Sequence, residues 1–200
     1  MFSSKQPSTR RLLLAPVLAA IICVAATGTT LASSTPDRRA APAELKAFSR
    51  PETAEDVLPR SVRVLLPRRF GALDASRRIA TASGFRGSAA LYVVRLTRTY
   101  RCLVRIDDGG AGVRCRPFRQ FFSAKRRVAA GTGDGFFYGV AANEIARVAF
   151  VDRHWRLHPV PLTRDGGFLY VCRNRSGCVA VIKAVNGYDR DGVLVSHERW

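Results

Sequence analysis

YRCLVRIDDGGAGVRC, residues 100–115, is the stretch that decides the fold. Asp108-Gly109 is the preferred loop of a two-residue β-hairpin, because both central residues of a type I′ turn need positive φ. A hairpin centred there sets Ile106 opposite Ala111, Val104 opposite Val113 and Cys102 opposite Cys115. All six residues are apolar or cysteine, so one face of the pair is suited to burial. The other face collects Arg101, Leu103, Arg105, Gly112, Arg114 and Arg116. A slip of one residue would exchange the two faces, so the register is well specified. Counted outward from the loop, Cys102 and Cys115 form a non-hydrogen-bonded pair with Cα atoms about 4.5 Å apart. A disulfide tolerates that separation, and the spacing predicts a Cys102–Cys115 bridge.

Working outward, runs of four to eight β-branched and aromatic residues alternate with Gly and Asp turns from residue 89 onward. They predict strands near 89–96, 101–106, 111–115, 136–141, 146–152, 156–162, 168–172, 178–185 and 193–197. No helix-length segments separate them, which favours antiparallel hairpins over a βαβ fold. The expected fold is mainly β: an antiparallel β-sandwich, immunoglobulin-like or similar, with short N-terminal helical segments. Asp165-Gly166 is expected to centre a further hairpin, pairing Val160 with Val171 and Leu162 with Leu169. Pro159 and Pro161 cannot donate ladder hydrogen bonds, so that strand belongs at an edge or carries a bulge. Cys172 and Cys178 flank a polar loop between two apolar runs, and the pattern predicts a second hairpin closed by a Cys172–Cys178 disulfide. Before the strands, residues 43–50 suggest a short helix with Leu45 and Phe48 on one side. Residues 73–80 suggest another helical turn or two, with Asp74 as N-cap.

The N-terminus points to export. Residues 1–11 carry Lys5, Arg10 and Arg11 and no acid, residues 12–26 are apolar, and small and polar residues follow to 34. A basic start, a short apolar middle and a small-residue exit are the parts of a secretory signal peptide. Thr30-Leu31-Ala32 is an acceptable cleavage site, which starts the mature chain at Ser33. The alternative is an uncleaved membrane anchor through residues 12–31, for which the apolar run is short of the ~20 residues of a span. Either outcome places residues 37–200 outside the membrane, because the positive charges stay inside. The chain therefore divides into a signal peptide or anchor (1–32), a flexible linker (33–42), short helices and an extended segment packed on the domain (43–88), and the β domain (89–200). Four cysteines beyond the leader fit a disulfide framework in an oxidising compartment.

Three stretches together resemble a group of exported actinobacterial β-rich proteins for which no activity is established. They are LKAFSRPETAEDVLP at residues 45–59, the Cys102–Cys115 hairpin, and a run from Tyr138-Gly139-Val140 through Ile145-Ala146-Arg147-Val148 to Asp189-Arg190-Asp191-Gly192. His158-Pro159-Val160-Pro161-Leu162 stands where that group carries a Val-Pro-Val strand. The resemblance covers about two thirds of the chain and implies an exported β-rich domain, with no activity attached.

Charge is the strongest chemical signal. Lys+Arg number 33 against 15 acids, a formal net charge of +18, and removing the three leader cations leaves a net charge near +15. Such a balance favours polyanions. Arg101, Arg105, Arg114, Arg116 and Arg119 are the candidate anion-binding residues, because Arg101 faces Arg116 across the hairpin and Arg114 shares their side. Like charges set opposite one another cost a sheet roughly 0.2–1 kcal/mol, which a bound anion or an overlying acid would relieve. A compositional origin is the alternative, since 29 of the 33 cations are arginine.

Other motifs are weaker. Phe118, Phe121, Phe122, Phe136, Phe137 and Tyr138 near the basic run read as core. His154-x3-His158 lacks an intervening Glu and is followed by Pro159. The cysteine spacings carry no short zinc knuckle, so neither set predicts a metal site. Gly131-x-Gly133-x-Gly135 lacks a phosphate-loop lysine and reads as a flexible turn. Asp189, Asp191, Gly192 and Glu198 imitate part of a calcium loop, but residues 193–195 are strand-like, which favours a turn. There is no G-x-S-x-G and no prominent carboxylate pair. No cofactor is expected. The function expected is a non-catalytic binding or structural domain of the cell envelope, with anionic envelope polymers or a lipid surface as partners. Export disfavours nucleic acid. A secreted hydrolase with a site assembled from distant loops is the alternative.

Overall fold

The computed structural model describes residues 45–84, 87–97, 99–123, 125–133, 135–172 and 181–200. The leader, the linker and Cys178 lie outside these residues. Among the described residues no helix is long and apolar enough to cross a membrane.

The protein is mainly β. The first sheet is a meander of β1 (Leu73–Gly84), β2 (Gly87–Leu96), β3 (Tyr100–Asp107) and β4 (Gly110–Pro117), hydrogen-bonded in that order. After a single helical turn, α3 (Phe118–Phe121), comes β5 (Val128–Gly133). It pairs with β6 (Phe136–Ala141), which in turn pairs with β9 (Gly167–Val171) to complete a second sheet. The third sheet has the order β11-β10-β7-β8, from β7 (Arg147–Asp152), β8 (Leu157–Val160), β10 (Ile182–Tyr188) and β11 (Leu194–Arg199). All pairings are antiparallel.

The second sheet is the filling of a sandwich. Every residue of β6 is buried. Phe136, Tyr138 and Val140 pack with Leu91, Val93 and Leu103 of the first sheet. The alternate residues Phe137 and Ala141 pack with Val148, Phe150 and Val185 of the third. A strand with a period of two and apolar residues at every position must be covered on both sides. The far face of the first sheet is covered by the N-terminal segment: Leu58, Val62 and Leu66 pack on Tyr92, Val94, Cys102 and Val104.

That segment consists of α1 (Lys46–Ser49), a 3-10 turn (Ala54–Asp56), α2 (Arg60–Arg63) and a second 3-10 turn (Arg68–Phe70). Pro59 precedes α2, where a missing N–H costs nothing. A buried carboxylate fastens the segment. Asp56 accepts hydrogen bonds from Thr53 N (2.8 Å), Thr53 Oγ1 (2.9 Å), Arg78 N of β1 (2.8 Å) and both terminal nitrogens of Arg50 (2.6 and 2.7 Å). Arg50 Nε also donates to Asp165, at 2.8 Å. Burial opposes the charge on Asp56, but the Arg50 hydrogen bonds, then those of Thr53 and Arg78, outweigh it and hold the carboxyl well below the usual range.

The decisive hairpin has the expected register, with Ile106↔Ala111, Val104↔Val113 and Cys102↔Cys115. The Cys102–Cys115 disulfide is present, with Cα atoms 4.0 Å apart. The turn chemistry differs: positive φ falls on Gly110 (φ 134) rather than on the two loop residues, and Asp107 Oδ1 takes the Gly109 N–H at 2.9 Å. Cys172 is disulfide-bonded, and Cys178, its expected partner, lies outside the described residues.

Four expectations are corrected. Residues 73–80 are strand, not helix, so the sheet begins before residue 89. Register shifts between Leu73 and Ala75 and between Arg78 and Ala80 break the alternation that would have revealed β1. Gly131 and Gly133, expected as part of a flexible turn, lie within β5. The Asp165-Gly166 turn does not join two paired strands, because β8 pairs with β7 and β9 with β6. The strands on either side of residues 173–180 likewise belong to different sheets, so β9 and β10 do not form a hairpin. The edge position expected from Pro159 is found, since β8 closes the third sheet.

Candidate functional site

The arginine face of the β3–β4 hairpin exists as expected: Arg101 stands opposite Arg116, Leu103 opposite Arg114 and Arg105 opposite Gly112. It faces the second sheet. β3 is an interior strand, so Arg101 and Arg105 are driven into the space between the sheets, at 2% and 5% exposure. The Arg101 guanidinium lies 4.7 Å from the Phe118 ring centroid and 5.8 Å from that of Phe48, and its Nη1 donates to Tyr100 O at 3.0 Å. Arg105 Nε sits 2.8 Å from Asp107 Oδ2, with the Phe136 and Tyr138 rings each 5.7 Å from the guanidinium. A weakly hydrated planar cation stacked on aromatic faces is the form of positive charge that a core accommodates best. These two residues are not open to a polymer at the surface.

The glycines of β5 make this burial possible. A Cβ at Gly133 would come within 2.6 Å of Arg105 Nη1, and one at Gly131 within 2.9 Å of the Tyr138 ring. The glycine run is a recess for a guanidinium and a phenol ring.

β4 is the edge of its sheet, and its arginines behave differently. Arg114 is exposed and Arg116 half-buried. They open onto a cleft where the edge strands of three sheets converge: β4, β5 and β11. Arg114, Arg116, Arg126 and Glu198 supply its charges; Gln120 and Phe121 of α3 close one side. The enclosed space is ≈ 20 Å³, about one water molecule, and with its open mouth the cleft measures ≈ 310 Å³. Arg114 Nη1 donates to Ala130 O at 2.9 Å, and Arg126 Nη2 lies 3.0 Å from Glu198 Oε1. Among the described residues the Arg116 side chain makes no hydrogen bond and no ion pair. Burial, and then the charges of Arg114 and Arg126, push its guanidinium below the ordinary arginine range, against the pull of Glu198. Three cations and one carboxylate leave the cleft short of negative charge, while guanidinium remains protonated in a protein.

Of the five candidate arginines, two therefore line this cleft, two are core, and Arg119 is exposed on α3 without lining it. Arg126 and Glu198 were not among the candidate anion-binding residues, and Glu198 drew notice only in the calcium-loop imitation. Arg126 lies in a loop after α3, and Glu198 arrives from β11, far along the chain.

Among the described residues no group of three His, Cys, Asp or Glu is placed to hold an ion. His154 lies in the turn after β7, and His158 on β8. His158 Nε2 lies 2.9 Å from Asp152 Oδ2. His197 Nδ1 lies 2.7 Å from Asn186 Oδ1. The calcium-loop imitation is a turn, in which Asp189 Oδ1 takes the N–H groups of Asp191 and Val193. Compared with known proteins, the chain matches no family model, no curated protein and no solved structure.

Proposed function

We propose that this chain is an exported β-sandwich domain of the cell envelope with a non-catalytic binding role. Its ligands are anionic groups of an envelope polymer or lipid surface, taken up by Arg114, Arg116 and Arg126. The observation that carries the reading is Arg116, a half-buried guanidinium without a partner among the described residues, crowded by two further arginines. Such a site gains from any anion that enters, because charge-assisted hydrogen bonds replace like-charge repulsion. The enclosed space admits one protruding group rather than a whole sugar ring or base, so the ligand presents its charge on pendant phosphates or carboxylates. The basic leader with its apolar run and the Cys102–Cys115 disulfide support an oxidising, extracytoplasmic setting.

Immobilised polyphosphate eluted with a salt gradient tests the binding. The wild-type chain is expected to be retained, and the combined change of Arg114, Arg116 and Arg126 to Gln to elute at clearly lower salt. Arg119→Gln is expected to elute with wild type. Co-elution of the triple variant with wild type refutes the cleft as the site. Intact mass of the secreted protein tests the export: a chain starting at Ser33, with four thiols appearing only on reduction, is expected.

A further inference from the structure

A second cavity, of ≈ 270 Å³, opens beside β7 and β8, apart from the arginine cleft. Its size falls just below the roughly 300–1,000 Å³ of drug-sized ligand sites. Phe150, Tyr170, Val181 and Ile182 supply its apolar wall, and Asp152, Arg153 and His158 its polar side.

The polar side is organised by Asp152. Its Oδ1 accepts the backbone N–H groups of His154 (2.8 Å) and Arg156 (2.9 Å), and its Oδ2 meets His158 Nε2 at 2.9 Å. The His158 hydrogen bond, then those of Arg156 and His154, hold the Asp152 carboxyl down at about 2. An ionised carboxylate only accepts, so Nε2 of His158 carries a proton, and in the singly protonated tautomer this leaves Nδ1 as an acceptor. Among the described residues nothing bonds to Nδ1. The ring is fixed by stacking on Phe150, with centroids 4.7 Å apart. Arg153 Nε donates to His154 Nε2 at 3.2 Å, and its terminal nitrogens have no partner among the described residues. Asp152 already holds three donors and leaves no unanswered negative charge to repel a ligand.

The cavity thus combines one free cation, one oriented acceptor and an apolar wall. We infer that it binds a small amphiphile whose head group pairs a negative charge with an N–H donor, of the N-acyl amino acid class. The carboxylate meets Arg153, the amide N–H donates to His158 Nδ1, and the acyl chain lies against Phe150, Tyr170 and Ile182. This site is independent of the arginine cleft.

Calorimetric titration of the full disulfide-intact chain with N-octanoylglycine, octanoate and octylamine tests it. N-Octanoylglycine is expected to bind roughly 3–10-fold more tightly than octanoate, the worth of one added hydrogen bond, and octylamine not to bind. Arg153→Gln, an exposed substitution that leaves the fold untouched, is expected to weaken both acids about tenfold or more. His158→Phe keeps the stack on Phe150 and is expected to abolish the preference for the amide. Arg116→Gln is expected to change neither affinity, which separates this site from the cleft. The inference is overturned if no acid binds saturably, if octylamine binds as well as octanoate, if the amide preference survives His158→Phe, or if Arg153→Gln binds like wild type.

Discussion

Arg101 and Arg105 on β3 and Arg114 and Arg116 on β4 share one face of one sheet and stand a single strand apart. The first pair is sealed between sheets, stacked on four aromatic rings and served by a carbonyl and a carboxylate. The second pair borders a cleft that holds more positive than negative charge. Residue type and facing are the same in both. The difference is that β3 has neighbours on both sides and β4 has one. Arginine is thus a core residue or a cleft-lining residue here according to its depth in the sheet.

The contrast can be broken most severely at Arg105. Arg105→Ala leaves Asp107 buried without its cation, and breaking a buried pair costs about 3–5 kcal/mol; urea unfolding should read that loss. A smaller loss is expected in acid from the other buried pair. Asp56 has a depressed carboxyl, so its contribution is complete above the unfolded aspartate value of about 3.9 and is lost as pH falls below that toward its own lower value. Wild type should therefore lose stability between about pH 4 and 2 more steeply than Asp56→Asn, which lacks this contribution throughout. Gly133→Ala pushes a methyl toward Arg105 Nη1, and overpacking of that kind costs about 1–3 kcal/mol; a parallel unfolding curve at lower urea is the readout. Arg116→Gln is the smallest: stability within about 0.5 kcal/mol of wild type, with the salt dependence of polyphosphate binding reduced by about one unit of slope. If Arg116→Gln were as destabilising as Arg105→Ala, the two strands would not differ in the way described.

The sequence makes the hairpin of β3 and β4 legible, because a turn signal and two alternating faces agree on one register. It also places β6, whose six residues are observed at the expected boundaries. β1 escapes because two bulges scramble its period. β5 escapes because its glycines look like a turn until the guanidinium and phenol they accommodate are seen. The partners of β8 and β9 escape for a different reason: each strand is visible locally, but which sheet it joins is settled by packing across layers. The arginine face was legible as a face, but nothing local says that a second sheet covers half of it. Glycines set near aromatic residues were the one available hint. Arg126 and Glu198 reach the cleft through the convergence of three sheets, which no short motif encodes.

The convergence of edge strands at the cleft has a bearing on how the molecule behaves in company. A free sheet edge is a template onto which another chain can add a strand, and charge along the edge is the usual deterrent. β4 carries that deterrent in Arg114 and Arg116, so a second copy approaching edge to edge meets its own guanidinium groups. A polyanion that neutralises them would remove the barrier. Crowded on such a polymer, copies of this domain would turn from mutually repelling molecules into neighbours with uncharged edges, and their colloidal state would follow the ligand rather than the protein.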